Sequence, residues 1–211
     1  MQLRPIFITG IGTGIGKTVV SAIITEALEA DYWKPVQAGN DATDTDWVRA
    51  HLTNSISKTH RESFLLKTPA SPHYSAQLEN IAITVQRICS GIPFYSRNLI
   101  VEGAGGVMVP LNNAEFVLDL IQKLNARVVL VSRNYLGSLN HSLLTAALCK
   151  QMNLDVAGWI FNGYDSLYEE QICSWTGFPR IGSIPYVDDP GKSFIKAMAD
   201  LLRESITKAL C

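Results

Sequence analysis

Cysteine and histidine are scarce in this sequence, and neither forms a recognisable pattern. The cysteines lie far apart, without a Cys-x-x-Cys pair, at Cys89, Cys149, Cys173 and Cys211. The histidines are equally scattered, and no Ser/His/Asp arrangement for nucleophilic catalysis is visible. We therefore expect neither a zinc site nor a disulfide framework, and we expect the chain to work in a reducing cytoplasm.

A surplus of charge and a long hydrophobic run are also missing. The 18 lysines and arginines nearly balance the 19 aspartates and glutamates, which leaves a formal net charge of −1. This balance gives no indication of a nucleic-acid or membrane partner. Because no run of about twenty apolar residues occurs and no basic segment leads into a long apolar one, we expect neither a membrane span nor a secretory signal.

Apolar residues are plentiful, at 47% of 211 positions, and they occur in strands that alternate with helical segments. Strands that are apolar on both faces indicate a parallel sheet covered by helices on both sides. We predict strands over residues 5–10, 31–37, 98–102, 126–132, 156–162 and 180–184, and helices over residues 17–30, 81–90, 115–124, 139–152, 166–175 and from 193 onward. Residues 55–75 are predicted to be irregular, since the closely spaced Pro69 and Pro72 disfavour a helix or central strand.

The stretch from Ile6 to Val20 has the order strand, glycine-rich loop and helix, and it ends in Gly16-Lys17-Thr18. Glycines let backbone N–H groups approach phosphate oxygens, and the helix directs its positive end at them. Lys17 can reach the β- and γ-phosphates, and Thr18 can ligate Mg²⁺. The usual spacing would put the first glycine where Ile11 stands. The alternative is a tight strand-to-helix turn with a surface lysine.

These features together predict an α/β fold, with a single P-loop NTPase-like domain over residues 1–211 that has a mainly parallel β-sheet and helices on both faces. In such a sheet, ligands bind at the carboxyl ends of the strands. Acidic residues near these ends are candidates for a magnesium site with Thr18. Glu102 follows an apolar strand, and Asp46 is a third candidate ligand, for which the alternative is a solvated helix start.

Lys34 stands inside a short apolar strand, in the run Tyr-Trp-Lys-Pro-Val-Gln-Ala-Gly. A buried lysine without a partner is costly, so we expect an anion to meet it. The alternative is a lysine that snorkels at a sheet edge. Lys17 and Lys34 together suggest charge stabilisation in phosphoryl transfer, where positioning and electrostatics supply most of the catalysis.

Two further segments could bind parts of a ligand. Asn162-Gly163-Tyr164-Asp165 follows a strand and could bind a nucleotide base, but it also suits a simple turn and matches the Asn-x-x-Asp outline of guanine-binding proteins. The helix near Leu139, with Ser138 as a possible N-cap and Asn140 in its first turn, could bind a carboxylate.

An ordered set of motifs resembles the dethiobiotin synthetase family over most of the chain. The motifs are Thr9-Gly-Ile-Gly-Thr-Gly-Ile-Gly-Lys-Thr18, Lys34-Pro-Val-Gln-Ala-Gly39, Ser71-Pro-His-Tyr-Ser-Ala76, Val101-Glu-Gly-Ala-Gly-Gly106, Leu136-Gly-Ser-Leu-Asn-His141, Gly158-Trp-Ile-Phe-Asn162 and Ile184-Pro-Tyr186. The resemblance implies a homodimer that uses ATP, Mg²⁺ and CO₂ or bicarbonate to convert 7,8-diaminononanoate into dethiobiotin, ADP and phosphate. A carbamate would take the γ-phosphoryl group, and the second amine would then close the ureido ring.

The resemblance also implies roles for particular residues. Lys34 and Lys17 would be catalytic, and Thr18, Asp46 and Glu102 would hold Mg²⁺. The nucleotide would bind at Gly14, Ile15, Gly16, Lys17, Thr18, Val19, Asp46, Glu102, Gly103, Ala104, Gly105, Asn162, Gly163, Pro185, Tyr186 and Val187. The second substrate would bind at Thr13, Lys34, Ala38, Ser71 and Asn140, with Asn140 acting across the dimer interface.

The sequence departs from the family at two positions and leaves two rival classes to weigh. The family often has Asp where this chain has Gly12 and a hydroxyl residue where it has Ala38. Corrinoid a,c-diamide synthase-type ligases have a similar P-loop, but they usually carry a glutaminase domain for which 211 residues leave no room. Partitioning-type ATPase switches carry a signature lysine early in the loop, and Gly12 occupies that position here.

Overall fold

The computed structural model describes residues 3–211 and contains alternating strands and helices. In chain order they are β1 Ile6–Gly10, α1 Lys17–Leu28, β2 Asp31–Trp33, β3 Val36–Ala38, α2 Asp44–His51, β4 Thr59–His60, β5 Phe64–Leu66, α3 Pro72–Leu78, α4 Val85–Ser90, β6 Leu99–Glu102, α5 Val117–Lys123, β7 Arg127–Arg133, α6 Ser138–Gln151, β8 Val156–Asn162, α7 Ser166–Thr176, β9 Arg180–Ile184 and α8 Lys192–Leu210.

Seven strands form one sheet in the order β4-β2-β6-β1-β7-β8-β9, and every pairing in it is parallel. Alternate residues of a strand face opposite sides of a sheet, so Ile6 and Ile8 join the apolar cluster under α1 and α8, whereas Phe7 joins the cluster on the other face. Both faces are therefore buried, as the uninterrupted apolar strands predict, and the parallel α/β fold is confirmed.

The predicted strand over residues 31–37 is divided in two. β2 ends at Trp33 in the main sheet, and β3 begins at Val36 in a separate two-stranded sheet with β5. Pro35 lies at the break, because it has no N–H to continue a ladder, although its carbonyl still accepts from Phe64 N. Lys34 consequently lies at the carboxyl edge of the main sheet.

The prediction of an irregular segment over residues 55–75 is wrong in part. β4 and β5 lie within it, and α3 begins at Pro72. Proline is well tolerated at the first position of a helix, because the N–H it lacks would have no partner there. The helix predicted over residues 81–90 begins later, at Val85, after Thr84 accepts a capping hydrogen bond from Arg87 N. Within residues 3–211, we find no helix with the length and apolar character needed to span a bilayer.

Candidate active site

The loop between β1 and α1 wraps one side of a cavity of about 400 Å³. Gly14 and Gly16 have φ values of 72° and 95°, a left-handed conformation that glycine adopts without strain. The first turn of α1 opens into the cavity, with Lys17, Thr18 and Val19 on its wall. Exposed backbone N–H groups and the positive end of a helix make this loop suited to phosphate.

Lys17 is buried, and its Nζ donates to the carbonyl oxygen of Gly12 at 2.6 Å. Burial lowers the pKa of Lys17 to about 8, although the nearby carboxylate of Glu102 opposes this effect. A lysine held so far from solvent is not the surface lysine of a simple turn. Its ammonium group is not fully balanced by nearby negative charge, so a bound anion would stabilise it.

Glu102 connects the elements that surround the cavity. Its carboxylate is only 1% exposed, and Oε1 accepts from Thr18 Oγ1 at 2.9 Å and from Lys34 Nζ at 2.8 Å. Its other oxygen, Oε2, accepts from the hydroxyl of Tyr32 at 2.8 Å. Strands β2 and β6 pair directly, which explains how residues far apart in sequence meet at one sheet edge.

Lys34 is buried between two carboxylates, so the alternative of a snorkelling edge lysine does not apply. Its Nζ donates to Glu102 and to Oδ2 of Asp44. Burial alone would lower the pKa of Lys34, but the two carboxylates outweigh it and raise the pKa above its ordinary value. Lys34 therefore stays protonated, as electrostatic stabilisation of an anionic substrate requires.

Asp44, and not Asp46, is the acidic residue of α2 at the site. The side chain of Asp46 is 66% exposed and pairs with Arg49 at 2.6 Å. Side chains two residues apart on an α-helix differ in direction by about 200°, so the carboxylates of Asp44 and Asp46 cannot face the same side. Val48 is buried four residues after Asp44 and marks the inward face of α2. This spacing could have identified Asp44 from the sequence.

Thr18, Asp44 and Glu102 place one hydroxyl group and two carboxylates on the wall of the same cavity, and these are oxygen donors of the kind that Mg²⁺ takes. Among residues 3–211, no group of three or more His, Cys, Asp or Glu side chains forms a complete metal cage. Mg²⁺ is commonly bound by one or two carboxylates, waters and phosphate oxygens, so a full protein cage is not required. Magnesium in this position would add positive charge beside the two lysines.

Asn162 closes the far side of the same cavity, at the end of β8. Its Nδ2 donates to the carbonyl oxygen of Ile15 at 3.0 Å, which leaves its Oδ1 as an acceptor. Asp165 does not follow the guanine-binding outline. It caps α7 by accepting from Tyr168 N and also accepts from Asn134, so its carboxylate is already used.

Most of the predicted nucleotide-binding residues line this cavity, but several do not. Those on the wall are Gly14, Gly16, Lys17, Thr18, Val19, Glu102, Gly105, Asn162, Tyr186 and Val187. Those behind it or beside it are Ile15, Asp46, Gly103, Ala104, Gly163 and Pro185. Gly103 has a structural reason to be glycine, since a Cβ there would approach the ring of Phe7 to 2.7 Å. Arg133 and Asp44 also line the cavity, and neither was predicted.

A second cavity of about 420 Å³ adjoins the first and brings together four of the five residues predicted to bind the other substrate. They are Thr13, Lys34, Ala38 and Ser71. Lys34 and Asp44 belong to the walls of both cavities. Gln37 also lines this cavity, and its Oε1 accepts from Asp44 N at 3.2 Å, which ties the small sheet to the start of α2.

Asn140 lies apart from both cavities, in the exposed first turn of α6. Ser138 is not the N-cap of that helix. Gly137 takes the capping position with a φ of 98°, and Ser138 Oγ donates to the carbonyl of Tyr135 at 2.6 Å. Exposed apolar side chains lie near this turn, among them Leu144 and the fully exposed Leu136.

Several proteins of known name are similar to this chain in sequence. A family model described as an AAA domain matches residues 4–192. The chain is 48% identical over 171 residues to the ATP-dependent dethiobiotin synthetase BioD of Cytophaga hutchinsonii, covering 81% of this chain and 82% of the relative. It is 42% identical to the protein of the same name from Christiangramia forsetii, covering 95% and 96%.

Solved structures that resemble this fold are more distant. A ParA family ATPase from Chlorobium tepidum superposes with a TM-score of 0.59 at 14% identity, covering 99% of this chain and 98% of that one. The MinD cell division protein of Aquifex aeolicus superposes with a TM-score of 0.55 at 12% identity, covering 97% and 95%. At such low identity the likeness concerns the fold alone.

Proposed function

The chain belongs to the ATP-dependent dethiobiotin synthetase family, and we propose that its two adjoining cavities bind ATP and 7,8-diaminononanoate on either side of Lys34. One observation carries this proposal. Lys34 is buried between Glu102 and Asp44 on the wall that both cavities share, so one ammonium group can act on both ligands. The enzyme is an ATP-dependent ligase of biotin synthesis.

The reaction begins with attack of one substrate amine on CO₂, which forms a carbamate and releases a proton. A carbamate oxygen then attacks the γ-phosphorus of ATP, and ADP leaves. The second amine finally attacks the carbamate carbon, the ureido ring closes, and phosphate departs with a further proton. Every step after the first carries negative charge at the boundary between the cavities, where buried cations are most effective.

The residues at this boundary have distinct proposed roles. Lys34 stabilises the carbamate and the migrating phosphoryl group, and Lys17 holds the β- and γ-phosphates. Thr13 and Ser71 supply polar contacts for the diamine side. Ala38 lacks the hydroxyl group often found in the family, so only its backbone can take part. Thr18, Asp44 and Glu102 would hold Mg²⁺, which would supply further charge neutralisation of the phosphate oxygens.

We propose that adenine binds beside Asn162. The Oδ1 of this residue is an acceptor, because its Nδ2 is fixed by the carbonyl of Ile15. Adenine presents an amino donor to such an acceptor, whereas guanine presents a carbonyl oxygen at the corresponding position. The engaged carboxylate of Asp165 also argues against a guanine site.

We further propose that the chain is a cytoplasmic homodimer, with the start of α6 from a second copy binding the substrate's carboxylate tail. Two features support this arrangement. Asn140 lies outside both cavities of its own chain, and the exposed apolar residues Leu136 and Leu144 flank it. Each chain would form one P-loop ligase domain. The two alternative functions, a partitioning-type ATPase switch and a corrinoid-type ligase, are less well supported, because the relatives at 42–48% identity are dethiobiotin synthetases.

The direct test is ADP release and dethiobiotin formation with 7,8-diaminononanoate, bicarbonate, ATP and Mg²⁺. We expect both products only when the diamine is present. 8-Aminononanoate, which lacks one amine, is a matched control that cannot close the ring. ATP hydrolysis that proceeds at the same rate without the diamine would overturn the proposal and favour an ATPase switch.

A further inference from the structure

Arg133 lies on the nucleotide-side cavity, at the end of β7, and contacts two separate loops. Its guanidinium carbon lies over the ring of Tyr186, 3.8 Å from the ring centroid, in a cation–π contact. Its Nη1 donates to the carbonyl oxygen of Gly14 in the phosphate loop at 3.4 Å. The side chain thus connects the phosphate loop with the loop that follows β9.

The positions of both partners are well defined. Arg133 is opposite Asn162 in the β7–β8 register, and its carbonyl accepts from the hydroxyl of Tyr168. The Tyr186 hydroxyl donates to Asp188 at 2.6 Å, which orients the ring. Tyr186 and Asp188 line the same cavity as Arg133 and Asn162.

The guanidinium also has donors to spare. Within residues 3–211, its one hydrogen bond to another residue is the bond to Gly14, although a guanidinium has five N–H groups. A planar cation with free donors beside a phosphate-binding loop suits an anionic ligand that also carries an aromatic base. Lysine could supply the charge, but its compact ammonium group lacks the planar fork of five donors that allows arginine to stack on an aromatic ring and bind an anion together.

We infer that Arg133 is a nucleotide-affinity residue, which stacks on Tyr186 to hold the base-side loop against the phosphate loop and directs its free N–H groups at the bound nucleotide. This inference rests on the proposed ATP site. Arg133 acts on binding of the adenosine half and the first phosphates. It does not contact the reacting γ-phosphoryl group, which Lys17 and Lys34 are proposed to stabilise.

The test compares Arg133→Met with the wild-type enzyme by steady-state kinetics and by calorimetric titration with ADP and a non-hydrolysable ATP analogue. We expect the KM for ATP to rise roughly tenfold, as loss of a cation–π contact and a charged hydrogen bond implies, with kcat and the KM for the diamine little changed. Affinities for ADP and for the ATP analogue should fall by the same factor. A fall confined to the ATP analogue would overturn the inference, because it would place the side chain at the γ-phosphate.

Further variants separate stacking from charge. Arg133→Lys should not restore affinity, and Arg133→Met combined with Tyr186→Leu should bind no more weakly than Arg133→Met alone, because the Tyr186 contact is already lost in that variant. Full recovery with lysine, or additive losses, would refute the stacking role. Arg4→Met is a matched control, because Arg4 pairs with Asp155 at the opposite edge of the sheet.

Two negative results have different meanings. If the wild-type chain binds neither ADP nor the ATP analogue, the proposed function fails. If it binds both, and Arg133→Met with an unchanged thermal transition binds them equally well, only the role of Arg133 fails.

Discussion

The hydroxyl of Tyr32 donates to Oε2 of Glu102 at 2.8 Å, on the opposite side of the carboxylate from Lys34 and Thr18. Burial, reinforced by Glu102, raises the pKa of Tyr32 well above its ordinary value, so this hydroxyl remains a donor. Tyr32 therefore fixes the rotation of the carboxylate and leaves Oε1 for the groups that face the cavity. It is a positioning residue behind the proposed metal site.

We predict that Tyr32→Phe lowers kcat about tenfold and raises the Mg²⁺ concentration needed for half-maximal activity. Loss of a hydrogen bond to a buried charged group should also cost about 1.5–3 kcal/mol of stability. Direct Mn²⁺ binding in the presence of ADP would be measured by electron paramagnetic resonance. Tyr95→Phe is the matched control, because the Tyr95 hydroxyl donates to Leu3 O at 2.9 Å, away from the cavities. Equal metal affinity in the Tyr32 variant and the wild type would contradict the positioning role.

We predict that Lys34→Ala abolishes dethiobiotin formation while ATP-analogue binding largely survives. The ammonium group acts on the carbamate and the migrating phosphoryl group, whereas Lys17 and the phosphate loop hold the nucleotide. Product would be measured by mass spectrometry and binding by calorimetry. Normal turnover in this variant would show that the lysine shared by the two cavities has no part in the chemistry.

We predict opposite results for Asp44→Asn and Asp46→Asn. Asp44 contacts Lys34, so its neutralisation should reduce kcat by at least about tenfold, the size of effect that loss of roughly 1.4 kcal/mol of transition-state stabilisation produces. Asp46 faces solvent beside Arg49 and should change activity less than twofold, in line with the small effect of an exposed pair. If the Asp46 variant proved to be the inactive one, the choice of Asp44 as the candidate ligand would be wrong.

We predict that ATP binding weakens above pH 8, because Lys17 has a pKa of about 8 in the ligand-free chain and must be charged to hold phosphate. The dissociation constant should rise by up to about tenfold per pH unit, the limit for one linked proton. Calorimetric titrations from pH 7 to 9.5 would measure it. Lys17→Arg keeps its charge over this range and should remove this part of the slope.

The same shift has the opposite sign for stability of the ligand-free chain. Between about 8 and the ordinary value of 10.5, the unfolded chain binds a proton at Lys17 that the folded chain does not. Stability from this residue therefore increases as pH rises through that window. Comparison of wild type with Lys17→Met by denaturant unfolding at pH 8 and 10 isolates this contribution, and an identical difference at both values would contradict the lowered pKa.

The apolar periodicity of the sequence, together with the glycines and prolines that bound its segments, is sufficient to predict most of the fold. β8 and β9 begin and end where the apolar runs predict, because each run is bounded by Asn-Gly or proline. The division of the predicted 31–37 strand at Pro35 could not be predicted from the sequence. Only three residues of β2 pair before it, and the second part, β3, pairs with β5, which lies in a segment without clear apolar alternation.

The candidate site could be predicted where one continuous motif contains all the interacting residues, as in the phosphate loop. It was not predictable where a side chain acts across the sheet. Tyr32 looks like an ordinary core aromatic until β2 is seen beside β6, and Arg133 looks like a surface residue until Tyr186 is seen beside it. Asp46 is the candidate named from the sequence, and Asp44 emerges only when the spacing within α2 is combined with its buried face.

The approach of Gly16 to Asn162 restricts how the two positions can change over evolutionary time. A Cβ on Gly16 would come within 2.2 Å of the Asn162 side-chain nitrogen, and the left-handed φ at Gly16 disfavours any side chain there. A lineage that replaced Asn162 with a smaller residue would make space at position 16, but it would also lose the group beside which the base is proposed to bind. Each position therefore constrains the other, because a side chain at position 16 would displace Asn162 and so disturb the proposed base site.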